Sequence, residues 1–271
     1  MSNKAFLSLF AVLSLIAFGS GYWMESRALD KVRRVIQEPS FVKEGLLAYY
    51  PLDGNASDAT GRGNHGTMHG PPDSVKDRFG SNKAALFFDG RYDFITFDQN
   101  NTVRIPDPNQ CSVAFWIKKD GSSKGTVMQL FGDILQEDGG VPPVESFFGV
   151  REGGSTVAVE WQTRHVLEGE LTPDNDGWNH VAVVFAEGKE GLQEGILVVT
   201  MYLNGQKLPG ISNPKSTPLF ETEKIKKVFI LGRQCVSPSQ FRGTLDDVRI
   251  YSRSLSELEI ENLYEHEKYR E

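Results

Sequence analysis

The sequence predicts an all-β fold, a two-sheet antiparallel jelly-roll sandwich, from three observations. From Leu46 onward, short apolar segments are separated by turn residues, and several segments alternate inward and outward positions as strands do. The chain has 27 glycines and 13 prolines, which is typical of a protein with many turns. Roughly a dozen such segments, with almost no helical pattern between them, indicate two packed sheets.

Residues 1–24 are predicted to form an N-terminal hydrophobic helix. The apolar run has roughly 19 residues, close to the length that spans a bilayer. A cleaved signal peptide would be cut near Ala17–Gly19, where small residues have the required spacing. An uncleaved transmembrane anchor would instead keep Tyr22 and Trp23 at the membrane interface. Both interpretations remain open, and both predict an extracytoplasmic protein that is either membrane-anchored or secreted.

The next segment, residues 25–43, is predicted to be a short helical stalk or linker between this helix and the domain. It mixes acidic and basic residues with a few apolar residues near one side of a helix. Pro39 would end that helix. The remaining residues, 44–271, are predicted to form one domain.

The strands of this domain are predicted in chain order from apolar, turn-bounded segments. Alternation places Val113, Phe115 and Ile117 on one face of their strand. The pair Asn204-Gly205 predicts a tight hairpin. The predicted strands are 46–52, 84–90, 93–97, 111–119, 126–132, 146–153, 155–163, 179–187, 196–206, 226–234 and 243–252.

A short C-terminal helix is predicted after the last strand. Ser256 and Glu259 have the spacing of a capping box at its start. Leu258, Leu263 and Ile260 then supply an apolar stripe. The tail from Glu265 is polar and is expected to fray.

Charge and cysteine content exclude several classes of function. The net charge is −7 and the pI is about 5.4, whereas nucleic-acid binding needs a basic face. No cluster of Cys and His has zinc spacing. Cys111 and Cys235 could form a disulfide outside the cytoplasm, or remain two buried thiols.

The order of several motifs points to a known family. These motifs are LLAYYPLDGNASDATGRGNHGTMHG, ALFFDGRYDFITF, SVAFWIKK, DGWNHVAVVF, MYLNGQ and GTLDDVRIYSRSLSELEI. Together they resemble the LamG-like (laminin G, concanavalin A-like) jelly-roll domains of bacterial surface and secreted proteins, over about residues 44–265. The resemblance implies a non-catalytic binding or adhesion module. Many such domains carry a structural calcium, and some bind glycans.

A calcium site is predicted where two oxygen-rich segments meet. Asp246 and Asp247 lie on the last strand, which in a jelly roll commonly lies close to the first strand. Their alternative partners are Arg249 or Arg242, and Asp and Asn in turns also cap the local backbone. Carboxylate and amide oxygens are ligands that calcium prefers, and the first segment offers Asp53, Asn55, Asp58 and Asn64.

A sugar site is predicted at Trp161, with Arg164 and His165 as polar partners, because aromatic faces stack on sugar rings. In the alternative interpretation, Trp161 is buried against the other sheet. No catalytic residue is predicted. The Glu-x-Asp-x-x-Glu strand motif of retaining glucanases is absent, and so are the serine-hydrolase, P-loop and zinc-protease motifs.

The favoured function is therefore non-catalytic recognition of a glycan or a cell-surface partner, with calcium as a structural cofactor. One alternative is a structural or adhesion module that acts through protein–protein contacts only. Another is a divergent glycoside hydrolase, which needs two carboxylates about 5 to 9 Å apart in a cleft. No interaction with nucleic acid is expected, and contact with a membrane is expected only through the N-terminal segment.

Overall fold

Over the described residues, the computed structural model of the protein consists of two antiparallel sheets packed face to face. A C-terminal α-helix and a short 3-10 helix, Ser40–Val42, pack outside them, so the end of the predicted stalk joins the domain. The strands are β1 Leu46–Tyr50, β2 Gly66–His69, β3 Asp73–Val75, β4 Ala85–Asp89, β5 Phe94–Phe97, β6 Cys111–Lys119, β7 Gly125–Phe131, β8 Ser146–Val150, β9 Thr156–Trp161, β10 Arg164–Glu170, β11 Trp178–Glu187, β12 Leu197–Leu203, β13 Gln206–Lys207, β14 Ile230–Leu231 and β15 Arg242–Tyr251. The helix is α1, Glu257–Lys268. The structure describes residues 40–97, 105–107, 109–120, 125–131, 146–150, 156–161, 164–171, 177–188, 196–209, 230–233 and 240–269.

The strands pair in two ladders. Sheet A has the order β13-β12-β11-β6-β15-β4-β3, and β1 also pairs with β15. Sheet B has the order β10-β9-β8-β7-β14-β5-β2. The first and last strands of the domain are thus neighbours, and β15 lies between β6 and β4. The predicted sandwich is confirmed.

The core lies between the sheets and follows the alternation of the strands. Val113, Phe115 and Ile117 of β6 are buried in the main core. Val181 and Val183 of β11 pair with β6 and join the same core. Burying a side chain of this size contributes about 1.5–3 kcal/mol to folding.

The outer face of sheet A is also buried, because α1 packs on it. Ala114 and Val184 of the sheet contact a cluster that includes Ile260 and Leu263 of the helix. The capping box at Ser256 is present, as its spacing predicts. Leu258, however, is 65% exposed, so its place in the apolar stripe was predicted wrongly.

The polar end of α1 also departs from the prediction. The helix continues to Lys268, and Glu267 is fully buried. Glu267 follows Ile260 and Leu263 at helical spacing, so it faces the sheet with them. The expectation of fraying from Glu265 is therefore wrong for residues 265–268.

Three strands, β2, β3 and β10, match no predicted segment, whereas the Asn-Gly hairpin was predicted. β2 and β3 lie in a segment rich in glycine and proline, which hides short edge strands. The hairpin between β12 and β13 turns at Asn204 and Gly205, with φ values of 50° and 76°. Positive φ at both positions is the geometry that Asn-Gly favours.

Several predicted features lie outside the described residues. They are the N-terminal helix of residues 1–24, most of the stalk, and Cys235, whereas Cys111 is buried in β6. Within the described part of the chain, no helix has the length and apolarity needed to cross a membrane.

Candidate functional site

Two adjacent carboxylates point to the same side of β15 because the strand contains a bulge. Leu245 and Val248 both face the main core although they are three residues apart. The pairing with β6 shifts register between Asp246 and Arg249, and Asp247 has a φ of 47°. An extra residue in a strand re-aims side chains in this way. Both Asp246 and Asp247 are therefore turned toward the outer side of sheet A.

Arg78, in the loop between β3 and β4, binds both carboxylates. Its Nη1 lies 2.5 Å from Oδ2 of Asp246, and its Nη2 lies 2.6 Å from Oδ2 of Asp247. The guanidinium also donates to the backbone oxygen of Glu267 in α1, at 3.2 and 3.3 Å. Arg78 thus joins a loop, the last strand and the C-terminal helix.

A second arginine extends the buried network. Nε of Arg249 lies 2.5 Å from Oε1 of Glu267, and both side chains are almost fully buried. Oε2 of Glu267 accepts a hydrogen bond from Nε1 of Trp116 at 2.8 Å. Arg249 also lies over the ring of Tyr49, at 3.8 Å, and the Tyr49 hydroxyl donates to Asp247.

The charges of this network determine where its protons lie. Two arginines face three carboxylates, so one proton balances the cluster. Burial, together with the charge of Asp247, raises the pKa of Asp246 to about 9. Burial opposes ionisation of Asp247 as well, but Arg78 and Arg249 outweigh burial and hold its pKa below the ordinary value. Asp247 is therefore the ionised partner and Asp246 carries the proton.

His180 lies beside the network and is neutral at physiological pH. Burial lowers its pKa to about 4, against the opposing effect of Glu267. Its Nε2 is 3.7 Å from Oε2 of Glu267, beyond hydrogen-bond distance. His180 packs against the rings of Trp116 and Tyr264, which is a structural role.

A small cleft opens above the two aspartates. Its volume is about 160 Å³, below the roughly 300–1,000 Å³ of pockets that enclose a drug-sized ligand. It can therefore hold one end of a larger ligand. Phe79 lies at its edge with 43% of its surface exposed, and Arg78 lies 4.5 Å from its ring centroid. The lining residues are Tyr49, Pro51, Asp53, Asp77, Phe79, Ser81, Ala84, Asp246 and Asp247.

Three of the six predicted calcium ligands, Asp53, Asp246 and Asp247, meet in this cleft. The other three serve the backbone of the β1–β2 loop. Asp58 accepts from the amides of Thr60 and Asn64, among others.

The two asparagines of that loop have similar roles. Asn55 accepts from the amide of Ser57, and Nδ2 of Asn64 donates to the backbone oxygen of Leu47. The contact of Asn55, like those of Asp58, is the turn-capping alternative for Asp and Asn, whereas Asn64 ties the loop to β1.

The arrangement does not fit a calcium ion. A guanidinium already lies within 2.6 Å of both carboxylates on the last strand, and a cation of the same sign would be repelled there. Among the described residues, no group of three or more His, Cys, Asp or Glu side chains is arranged to hold a metal ion. The arginines named as alternative partners of the aspartates form ion pairs elsewhere, Arg249 with Glu267 and Arg242 with Asp120.

The predicted sugar site lies on the other sheet. Trp161 ends β9, Arg164 begins β10, and the two are register partners at this hairpin of sheet B. His165 pairs with Glu160 in the same ladder. Trp161 is at an alternate position of β9 with Val157 and Val159, which are buried in the main core. The side chains of Trp161, Arg164 and His165 lie outside the described residues, so their binding role stays a prediction.

Several residues of the site were not picked out from the sequence, among them Arg78, Phe79, Asp77 and Glu267. Arg78 and Phe79 lie in a loop, where sequence periodicity carries no signal. Glu267 was assigned to a fraying tail, although its spacing from Ile260 and Leu263 puts it on the apolar stripe. That spacing was the signal that could have found it.

Solved structures with similar folds come from several kinds of protein. The chain is similar to domain 4 of AbnA, a GH43 extracellular arabinanase from Geobacillus stearothermophilus, solved in complex with arabinotriose. The identity is 20%, the TM-score is 0.54, and the match covers 81% of this chain and 98% of that one.

Two further similar structures are parts of larger proteins. The Trypanosoma rangeli sialidase in complex with sialic acid is 12% identical with a TM-score of 0.58, over 88% of this chain and 37% of that one. The receptor-binding domain of botulinum neurotoxin C/D mosaic serotype is 15% identical with a TM-score of 0.54, over 82% and 51%. At these identities, the likenesses show the fold alone.

The family follows from the sequence itself. No curated protein matches the sequence closely enough to count as a relative. The family model Laminin_G_3, described as concanavalin A-like lectin/glucanases superfamily, matches residues 89–261, more than half of the chain. This range includes β15 with both aspartates and the start of α1. The chain therefore belongs to the concanavalin A-like lectin/glucanases superfamily.

Proposed function

We propose that the protein is a non-catalytic glycan-binding module and that the sugar binds at the cleft beside Phe79. The main observation behind this proposal is an exposed aromatic ring next to oxygen acceptors. Phe79 is 43% exposed, and Asp53, Asp77 and Ser81 line the same cleft. A sugar ring can stack its apolar face on such a ring, while its hydroxyls donate to carboxylate oxygens. The cleft volume suits one sugar unit of a longer glycan.

The proposal is supported by what similar folds do. The arabinanase domain was solved with arabinotriose and the sialidase with sialic acid. These ligands belong to those proteins, and no particular sugar is inferred for this chain. They make a glycan the first class of ligand to test.

A catalytic role is disfavoured by the state of the two carboxylates on the floor of the cleft. Unequal pKa values in a carboxylate pair also occur in hydrolases. A retaining hydrolase, however, needs both carboxyl groups directed at the substrate. Here Asp246 and Asp247 are both bound to Arg78, with side-chain exposures of 4% and 8%. We therefore propose binding without hydrolysis.

The location of the protein is proposed from its N-terminal segment. Residues 1–24 would act as a signal peptide or transmembrane anchor and residues 25–43 as a stalk, which holds the domain outside the cytoplasm. An intact chain that stays with membranes after a high-salt wash would support the anchor. A mature N-terminus near residue 20 in the soluble fraction would contradict it.

The binding proposal is tested on a glycan array with the full chain and two variants. Phe79→Ala should weaken binding about tenfold, because stacking on an aromatic ring contributes about 1 kcal/mol or more. Tyr92→Ala is the matched control, since Tyr92 is 74% exposed in the β4–β5 turn and does not line the cleft. It should bind as the wild type does.

Other outcomes would redirect the proposal. Equal losses of glycan affinity in both variants would contradict binding at the cleft. They would make Trp161 the next candidate site. No binding to any glycan would favour the module that acts through protein contacts only. Release of reducing sugar from a bound glycan would contradict the non-catalytic role.

A further inference from the structure

Four carboxylates line one small cleft, and an arginine lies among them. Asp53 and Asp77 come from the loops after β1 and β3, and Asp246 and Asp247 come from the bulge of β15. Asp246 and Asp247 are buried, and buried carboxylates need a positive charge beside them. In this structure, the position beside Asp246 and Asp247 is taken by Arg78.

We propose that Arg78 is a built-in cation that occupies the place of a metal ion, so that the domain folds without calcium. The inference does not depend on the proposed glycan binding. It concerns how the carboxylates are neutralised, and its test measures stability and metal response rather than ligand binding.

The geometry of the guanidinium supports the proposal. Each terminal nitrogen is assigned to a different carboxylate, with Nη1 on Asp246 and Nη2 on Asp247. Nε and Nη2 also donate to the backbone oxygen of Glu267. A planar fork of fixed donors suits two neighbouring carboxylates better than a single point charge does.

The surroundings of Arg78 hold it in place. Its guanidinium lies 4.5 Å from the ring centroids of both Phe79 and Trp116. Its side chain is only 5% exposed. To make room for a metal ion, the arginine would have to leave four hydrogen bonds and two aromatic contacts. The arrangement is therefore a permanent one.

The charge count leads to the same conclusion. Arg78 and Arg249 face Asp246, Asp247 and Glu267, so the network lacks one positive charge. One proton supplies it. A calcium ion would bring two charges into a buried cluster that needs one, and unbalanced buried charge is costly.

The test compares thermal unfolding of the full chain in EDTA and in millimolar calcium chloride. The midpoint Tm of the wild type should be the same in both buffers. In EDTA, Arg78→Gln should unfold at a lower temperature, because two aspartates lose their cation. Calcium should then restore part of the loss, since a divalent ion can take the place beside Asp246 and Asp247 that the guanidinium leaves.

The matched control is Arg253→Gln. Arg253 also pairs with a carboxylate, Glu259, but lies outside the cleft. This variant should show no response to calcium. If Arg78→Gln does not fold, the test uses Arg78→Lys instead, which keeps one positive charge at this position. It should fold with an intermediate Tm and remain insensitive to calcium.

Three results would overturn the proposal. The first is a saturable rise in the Tm of the wild type with calcium, which would show that the folded domain does take up calcium. The second is an Arg78→Gln variant that folds with a lowered Tm, where calcium has no effect on that Tm. The third is a calcium response in Arg78→Lys.

Discussion

Replacing Asp246 by asparagine should stabilise the protein, although the change removes a carboxylate from an ion pair. Asp246 carries a proton in the folded state because burial and Asp247 raise its pKa to about 9. Asparagine has nearly the same shape, accepts from Arg78 through Oδ1, and needs no proton. The same change at Asp247 removes the ionised partner of two arginines and should destabilise.

The magnitude follows from the difference between the folded and unfolded pKa values of Asp246. Its stability contribution is fully present below pH about 4, decreases as pH rises and is lost once pH has passed about 9. At pH 7 the accumulated cost is about 4 kcal/mol, from roughly three pH units at about 1.4 kcal/mol each. Between pH 7 and 9 the wild type should lose about 3 kcal/mol more.

The assay is urea unfolding of the full chain at pH 7, 8 and 9, followed by tryptophan fluorescence. Neither Asp247, with its lowered pKa, nor His180, with a pKa of about 4, titrates in this window. Asp246→Asn should be more stable than the wild type and lose the downward slope. Asp247→Asn should be less stable by about 3–5 kcal/mol, as for one partner removed from a buried ion pair. An unchanged slope in Asp246→Asn, or equal destabilisation by both variants, would refute the assignment of the proton.

Four further predictions concern the contacts of α1, and each is measured as a change in the free energy of unfolding. Glu267→Gln should destabilise by about 3–5 kcal/mol, because it leaves Arg249 buried without its carboxylate. Leu258→Ala, at an exposed position of the same helix, should change stability by less than about 0.5 kcal/mol, and a larger effect would contradict the packing described. Gly205→Ala should cost more than about 1 kcal/mol, because φ is 76° and a Cβ atom there would lie 2.8 Å from the Tyr264 ring. Ser256→Ala removes the helix cap and should cost about 1 kcal/mol, and no loss would argue against the capping box.

The sandwich could be predicted because its signals are local. Alternation along β6, the Asn-Gly turn and the capping box are each visible within a few residues. The neighbourhood of Asp53 and Asp246–Asp247 could also be anticipated, because a jelly roll brings its first and last strands together.

The partner of the two aspartates could not be predicted from local sequence patterns. The partner of the two aspartates is Arg78, which is separated from them by 168 and 169 positions and lies in a loop without periodicity. The bulge that turns Asp247 depends on the register with β6 and leaves no mark in the local pattern. The pairing of Arg78 with both aspartates depends on the tertiary structure and has no local signal in the sequence.

The central position of β15 has a consequence for how the chain folds as it is made. The other strands of sheet A are synthesised first, and β6 and β4 have no strand between them until residues 242–251 emerge. Before then, both strands expose backbone edges that can pair with other chains. A message or chain truncated before Arg242 would therefore yield an aggregating product rather than a smaller working domain. Loss of α1 alone would uncover the outer face of sheet A and remove the carboxylate partner of Arg249.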